Sequence, residues 1–198
     1  MNEKQRMERM ALCKKIESKQ GEGSIYSLGS KKAIMNIPRW STCIEDLDHA
    51  IGGGMPKGRI IEVSGPESSG KTSLGLWLCS LQSMALYIAA EGTFDASRAK
   101  VLGNKPKQLL VYRPEYGEDA MDRVFEFVKT GIPLIVIDSV PALMPREDYE
   151  KVEKSLENEH RIGGVARLLN KALSVLEREI EKSGTTIIFV NQVRDKMN

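Results

Sequence analysis

At 198 residues the chain can fill one sizeable hydrophobic core and not comfortably two. A hydrophobic fraction of 41% and a charged fraction of 28% are ordinary for a soluble globular domain, and a formal net charge of +2 makes no basic face, so any nucleic-acid partner must be held by local patches. Cys13, Cys43 and Cys79 are scattered and form no C-x-x-C pair, which indicates neither a zinc site nor a disulfide framework and fits a reducing, cytosolic compartment. No apolar stretch reaches spanning length and no signal-peptide core follows "MNEKQRMERM", so the expected location is cytoplasmic, with no membrane partner.

From Gln5 to Lys19 the apolar residues Met7, Met10, Ala11 and Ile16 recur near helical spacing among many charges, and "QGEGS" then breaks the pattern. This predicts a small amphipathic helix on a tether, with residues 1–32 as a separate segment and 33–198 as the main domain. One narrow stripe cannot make a core, so the helix is either a solvated leader or a device that docks on another subunit. After the Gly-rich approach "IGGGMPKG", the runs "RIIEVS", "ALYIAA", "LLVYRP", "PLIVID" and "TTIIFVNQ" read as strands with helices between them. Near-continuous apolar strands alternating with helices predict an α/β fold, a mostly parallel sheet covered by helices on both faces.

The first strand breaks into "GPESSGKT", Gly65 to Thr72, before an apolar helical stretch. Gly65, Gly70, Lys71 and Thr72 match G-x-x-x-x-G-K-[ST], the phosphate loop of P-loop NTPases. In that motif Gly65, Pro66, Glu67, Ser68, Ser69, Gly70 and Ser73 surround a polyphosphate, all but Pro66 with a backbone N–H to offer it. Lys71 is expected to reach the outer phosphates, and the Thr72 hydroxyl to ligate Mg2+.

Three further strand ends carry polar groups. Glu91 ends "LYIAAEG", where it is either the base that deprotonates an attacking water or a surface acid before a turn. Asp138 ends "LIVID", where a carboxylate is costly unless a magnesium ion relieves it; the alternative is an Asp capping the turn "DSVP". Asn191 and Gln192 end the last strand, where a neutral amide can hydrogen bond to a terminal phosphate. The longest predicted helix, around Ile162 to Lys182, places Ile162, Val165, Leu168, Leu169, Ala172, Leu173, Leu176 and Ile180 on one stripe and stops at Gly184. His49 and His160 lack partners of suitable spacing, and Trp40 and Trp77 read as packing residues.

The wording "GPESSGKT", preceded by "GGGMPKGRIIEVSG" and followed in order by "AAEGTFDASRA", "VIDSVPAL" and "VNQVR", resembles the RecA recombinase family, and "IESKQGEGSI" extends the likeness toward the N-terminus. The resemblance covers nearly the whole chain. It implies a P-loop NTPase core of RecA type, using ATP and Mg2+, that polymerises on single-stranded DNA and pairs it with a homologous duplex. By position it makes Glu91 the catalytic base, Gln192 the sensor of the terminal phosphate, and Thr72 with Asp138 the magnesium residues. It also places Asp95 near adenine and assigns the N-terminal helix to self-association. Residues from about Glu153 to Gly164 match a first DNA-binding loop, with Ile162, Gly163 and Arg167 at contacting positions and Arg194 at the opening of a second. Where the family stacks an aromatic on adenine this chain has Arg98, and where the strand before the base usually carries an Asp it has Ala89. In the family, more sheet, interface lysines and a C-terminal domain follow "NQVR". Without them the expectation is a weak ATPase with incomplete strand exchange, from a natural short recombinase or a fragment. The alternatives are a nucleotide-binding assembly module that joins filaments and a hexameric helicase-like motor sharing the core.

Overall fold

The computed structural model describes residues 3–21, 24–25, 37–92, 94–154 and 163–193. The chain divides into two compact units, Met1–Pro38 and Arg39–Asn198. In the first, α1 (Glu3–Gln20) has no buried residue, and Met7, Met10 and Leu12 stand exposed. Its acidic first turn and basic last turn, Glu3 and Lys19, complement the helix dipole.

The second unit opens with β1 (Arg39–Trp40), α2 (Glu45–Ala50) and β2 (Met55–Pro56), the two short strands pairing antiparallel. Asp48 holds this corner by accepting from the Ser41 hydroxyl at 2.6 Å and from the Thr42 hydroxyl at 2.7 Å. There follow β3 (Ile60–Gly65), α3 (Lys71–Ser80), β4 (Ala85–Ala89), α4 (Ala96–Val101), β5 (Leu109–Tyr112), α5 (Gly117–Lys129) and β6 (Leu134–Asp138). A 3-10 turn at Val140–Ala142 leads to α6 (Arg146–Lys154), α7 (Gly164–Ser183) and β7 (Thr186–Gln192). The sheet of the main unit is parallel throughout, in the order β3-β7-β6-β4-β5.

Every residue of β4 and β6 is buried, whereas β3 and β5, at the two ends of the strand order, mix half-buried and exposed residues. That burial explains the near-continuous apolar runs of the inner strands. One sheet face packs Leu86, Ile88, Ile135, Ile137, Ile187 and Phe189 beneath α5 and α7. The other packs Ala85, Tyr87, Ala89, Leu134, Val136 and Ile188 beneath α3 and α4. α3 lies close to the sheet because Gly75 faces it: a Cβ there would come within 3.1 Å of Val136 Cγ1. α7 buries Ala172, Leu176 and Ile180, one residue per turn at i, i+4 and i+8, and ends in left-handed Gly184. The predicted stripe is thus the packed face of this helix; Ile162 lies outside the described residues. Trp77 is half-buried against the same core as Trp40, and its Nε1 donates to the Thr42 carbonyl at 2.8 Å. Among the described residues no helix is long and apolar enough to cross a membrane.

Candidate nucleotide site at the carboxyl ends of the strands

Because the five strands are parallel, their carboxyl ends share one rim, the usual ligand edge of an open α/β sheet. The registers bring specific residues together there. Gly65 of β3 is opposite Gln192 of β7, and Asp138 of β6 is opposite both Val190 of β7 and Ala89 of β4. A cavity of ≈ 380 Å³ opens at this rim, bounded by the loop from Glu67 to Ser73 and by Glu91, Arg98, Asp138 and Gln192.

The loop has the backbone that its sequence demands. Gly70 caps α3 with φ 91, a conformation open to glycine at little cost, and the next residues, Lys71, Thr72 and Ser73, begin the helix. Their unpaired N–H groups and the positive helix end make an anion site. Ser68 also adopts a left-handed φ of 59. The Lys71 ammonium donates to the carbonyls of Gly65 at 3.0 Å and Pro66 at 2.5 Å, and lies 3.4 Å from Ser69 Oγ. It therefore arches over the loop from the helix side.

Thr72 Oγ1 donates to Asp138 Oδ2 at 2.7 Å, across 66 residues of sequence. With its hydrogen committed there, the threonine oxygen keeps its lone pairs as metal ligands. The cavity side chains include three carboxylates, Glu67, Glu91 and Asp138, against two cations, Lys71 and Arg98. A polyphosphate added to this set calls for a divalent cation. The donor set thus fits a magnesium-bound nucleotide. Among the described residues no three His, Cys, Asp or Glu side chains form a metal cluster.

Glu91 follows β4 and is engaged twice through one oxygen. Its Oε1 accepts from Ser139 Oγ at 2.5 Å and from Gln192 Nε2 at 3.1 Å. Two residues picked out separately from the sequence therefore form one unit. Asn191 points elsewhere, as strand alternation requires: its Nδ2 donates to Glu62 Oε1 at 2.7 Å, and its Oδ1 accepts from the Gln192 N–H. Asp95 caps α4, its Oδ1 accepting from the Ser97 and Arg98 N–H groups at 2.8 and 3.0 Å. Arg98 reaches back to α3, where Nη2 donates to Ser73 Oγ at 2.6 Å.

Two residues of the site carry no motif. Ser139 is one; the other is Tyr87, in mid-β4, whose hydroxyl donates to Asp138 Oδ2 at 2.5 Å. Burial above all, and then the charge of Asp138 and the hydrogen bond to it, push the Tyr87 phenol far above its ordinary value, so it stays a donor. Among the candidate DNA residues, Gly163 is left-handed at φ 84 before α7 and Arg167 is exposed one turn later. Ile162 and Arg194 lie outside the described residues.

The RecA N-terminal domain family matches residues 7–198. The chain belongs to the RecA family. It is 43% identical over 188 residues to Protein RecA of Nitratidesulfovibrio vulgaris, covering 92% of this chain and 51% of that relative. Against Protein RecA of Mycoplasma mycoides subsp. mycoides it is 43% identical over 190 residues, covering 93% of this chain and 54% of the relative. Against Protein RecA of Chloroherpeton thalassium it is 41% identical over 188 residues. The chain spans about half the length of these curated RecA relatives.

Proposed function

We propose that this RecA-family chain binds ATP with Mg2+ at the strand-end cavity, hydrolyses it, and couples hydrolysis to single-stranded DNA in recombinational pairing with a homologous duplex. The observation that carries the reading is the contact of Glu91 with Gln192 beside the phosphate loop. It joins a base to a neutral amide at the end of the last described strand.

In this reading the Lys71 ammonium and the N-terminus of α3 bind the outer phosphates and stabilise charge that builds on them during transfer. A Mg2+ ion would be held through Thr72, with Asp138 behind it, and would further neutralise that charge. Glu91 orients the attacking water and accepts its proton, while Ser139 and Gln192 hold its Oε1 and aim the carboxylate. Gln192 exchanges that contact for the terminal phosphate, so loss of the phosphate changes the conformation of the chain that follows. Arg98, laid against Ser73, takes the place beside the base that the family's aromatic fills, with Asp95 fixing the start of its helix. The single strand is held by phosphate contacts from Arg167 and Arg194, with Ile162 and Gly163 beside it. Residues 1–32, whose helix exposes Met7 and Met10, serve self-association into a filament, and residues 33–198 form the ATPase unit in the cytoplasm.

Glu91→Gln separates binding from chemistry. The expected result is ATP affinity within about twofold of wild type, with hydrolysis lowered by about a hundredfold or more, the usual worth of a positioned general base. Wild-type turnover in this variant would remove Glu91 from the reaction.

A further inference from the structure

We propose that Arg98 is the base contact of the nucleotide site and that, as a group carrying hydrogen-bond donors only, it makes the site take guanine as readily as adenine. The inference rests on the nucleotide reading above and goes beyond it, from the phosphates to the base.

Outside the phosphate loop the cavity is walled by Glu91, Asp138, Val190, Gln192 and Arg98. The first four belong together: Gln192 donates to Glu91, and Asp138 lies opposite Val190 and accepts from Thr72. Arg98 stands apart from them. Consecutive helix residues point about 100° apart, so Ser73 turns away from the side on which Thr72 meets Asp138. It turns to α4, where Arg98 Nη2 donates to its Oγ at 2.6 Å. In a phosphate loop the lysine reaches the outer phosphates and the backbone N–H groups take the inner ones. With Lys71, Glu91 and Gln192 at the terminal phosphate, the base leaves the cavity at the end that Arg98 lines. The guanidinium is exposed there, and among the described residues no carboxylate pairs with it. Asp95, three residues earlier, caps α4 through Oδ1 and is not one of the cavity walls.

A guanidinium carries several N–H donors and no acceptor, and Ser73 occupies one of them. Guanine presents two acceptors side by side, O6 and N7, the pair that arginine engages most often, whereas adenine presents N7 beside an amino group that itself donates. Choosing adenine over guanine takes an acceptor for that amino group. Among the described residues, no wall outside the phosphate loop supplies one at the Arg98 end. Adenine therefore meets one acceptable contact, and guanine gains a second hydrogen bond from a charged donor. Arg98 is thus a specificity-determining group that removes the selection for adenine.

The test is titration of the full chain, with Mg2+ in excess, with the fluorescent N-methylanthraniloyl derivatives of ATP and of GTP, for wild type and Arg98→Ala. Wild type is expected to bind the GTP derivative no more than about threefold more weakly than the ATP derivative. Arg98→Ala is expected to weaken both, with the GTP derivative losing about threefold to tenfold more, the worth of one further charge-assisted hydrogen bond. A larger wild-type preference for ATP overturns the proposal. So does an equal effect on the two nucleotides in the variant, whether a shared loss or none, since an arginine that holds phosphate or only braces Ser73 acts on both alike. The wild-type comparison stands without the variant. If neither derivative binds wild type, the nucleotide reading falls and takes this inference with it; binding of ATP with rejection of GTP sinks this inference alone.

Discussion

Around the carboxyl ends of β4, β6 and β7 and the start of α3, two hydrogen-bonded groups form: Thr72 and Tyr87 on Asp138, and Ser139 and Gln192 on Glu91. At the start of α7, by contrast, Gly163 and Arg167 stand exposed at the surface. The difference fits what the proposed function asks of each place. Phosphoryl transfer depends on groups fixed before the substrate arrives, and rigid strand ends supply that fixation. A contact to a DNA phosphate needs chiefly a positive charge within reach, and a long, solvated arginine provides it without a prebuilt pocket.

The contrast is broken most severely at the loop. Lys71→Ala is expected to lower ATP hydrolysis by about a hundredfold to a thousandfold, as the loss of a charge-stabilising donor does. Thermal unfolding should stay near that of wild type, because among the described residues the ammonium bonds only to its own loop. Phosphate release at the wild-type rate would show that the rim is not the reaction site.

α7 itself belongs to the rigid part once past its first turn. Leu176 is fully buried in it, and Leu176→Ala should lower the unfolding free energy by about 2–5 kcal/mol in denaturant titration. A loss under about 1 kcal/mol would place this helix outside the cooperative core.

A finer cut falls within the rim. Ser139→Ala removes one of the two donors to Glu91 and is expected to reduce turnover by about tenfold with nucleotide affinity unchanged, if the hydrogen bond orients the base. A change in affinity alone would mean that Ser139 acts on binding. The smallest effect belongs to Arg167→Ala, which should flatten the dependence of log Kd for single-stranded DNA on log salt by about one phosphate contact. A salt-independent affinity in the wild type would remove backbone phosphates as the main partner.

The same physical distinction explains what could be read in the sequence. The loop was legible because its backbone restricts residue choice: Gly70 must sit at φ 91, and the residues after it must open a helix. The buried strands were legible because parallel strands covered on both faces have few polar positions. Register was not legible. Tyr87 in "ALYIA" reads as one more core aromatic until its pairing with Val136 places the hydroxyl beneath Asp138. Ser139 looks like a turn residue, and only the return of the chain beside β4 brings it to Glu91. Asn191 and Gln192 were equivalent as amides; alternation sends one toward Glu62 and the other toward Glu91. The short pair Arg39–Trp40 and Met55–Pro56 gave no signal, since two-residue strands have no period.

The most direct test of the central claim is steady-state ATP hydrolysis by the purified chain, with and without long single-stranded DNA, against Lys71→Ala as background. The account predicts Mg2+-dependent hydrolysis above that background, raised by DNA through the Gln192 contact with Glu91. Hydrolysis equal to the Lys71→Ala background in both conditions would contradict the reading of this rim as an ATPase site, and hydrolysis indifferent to DNA would contradict its coupling to recombination.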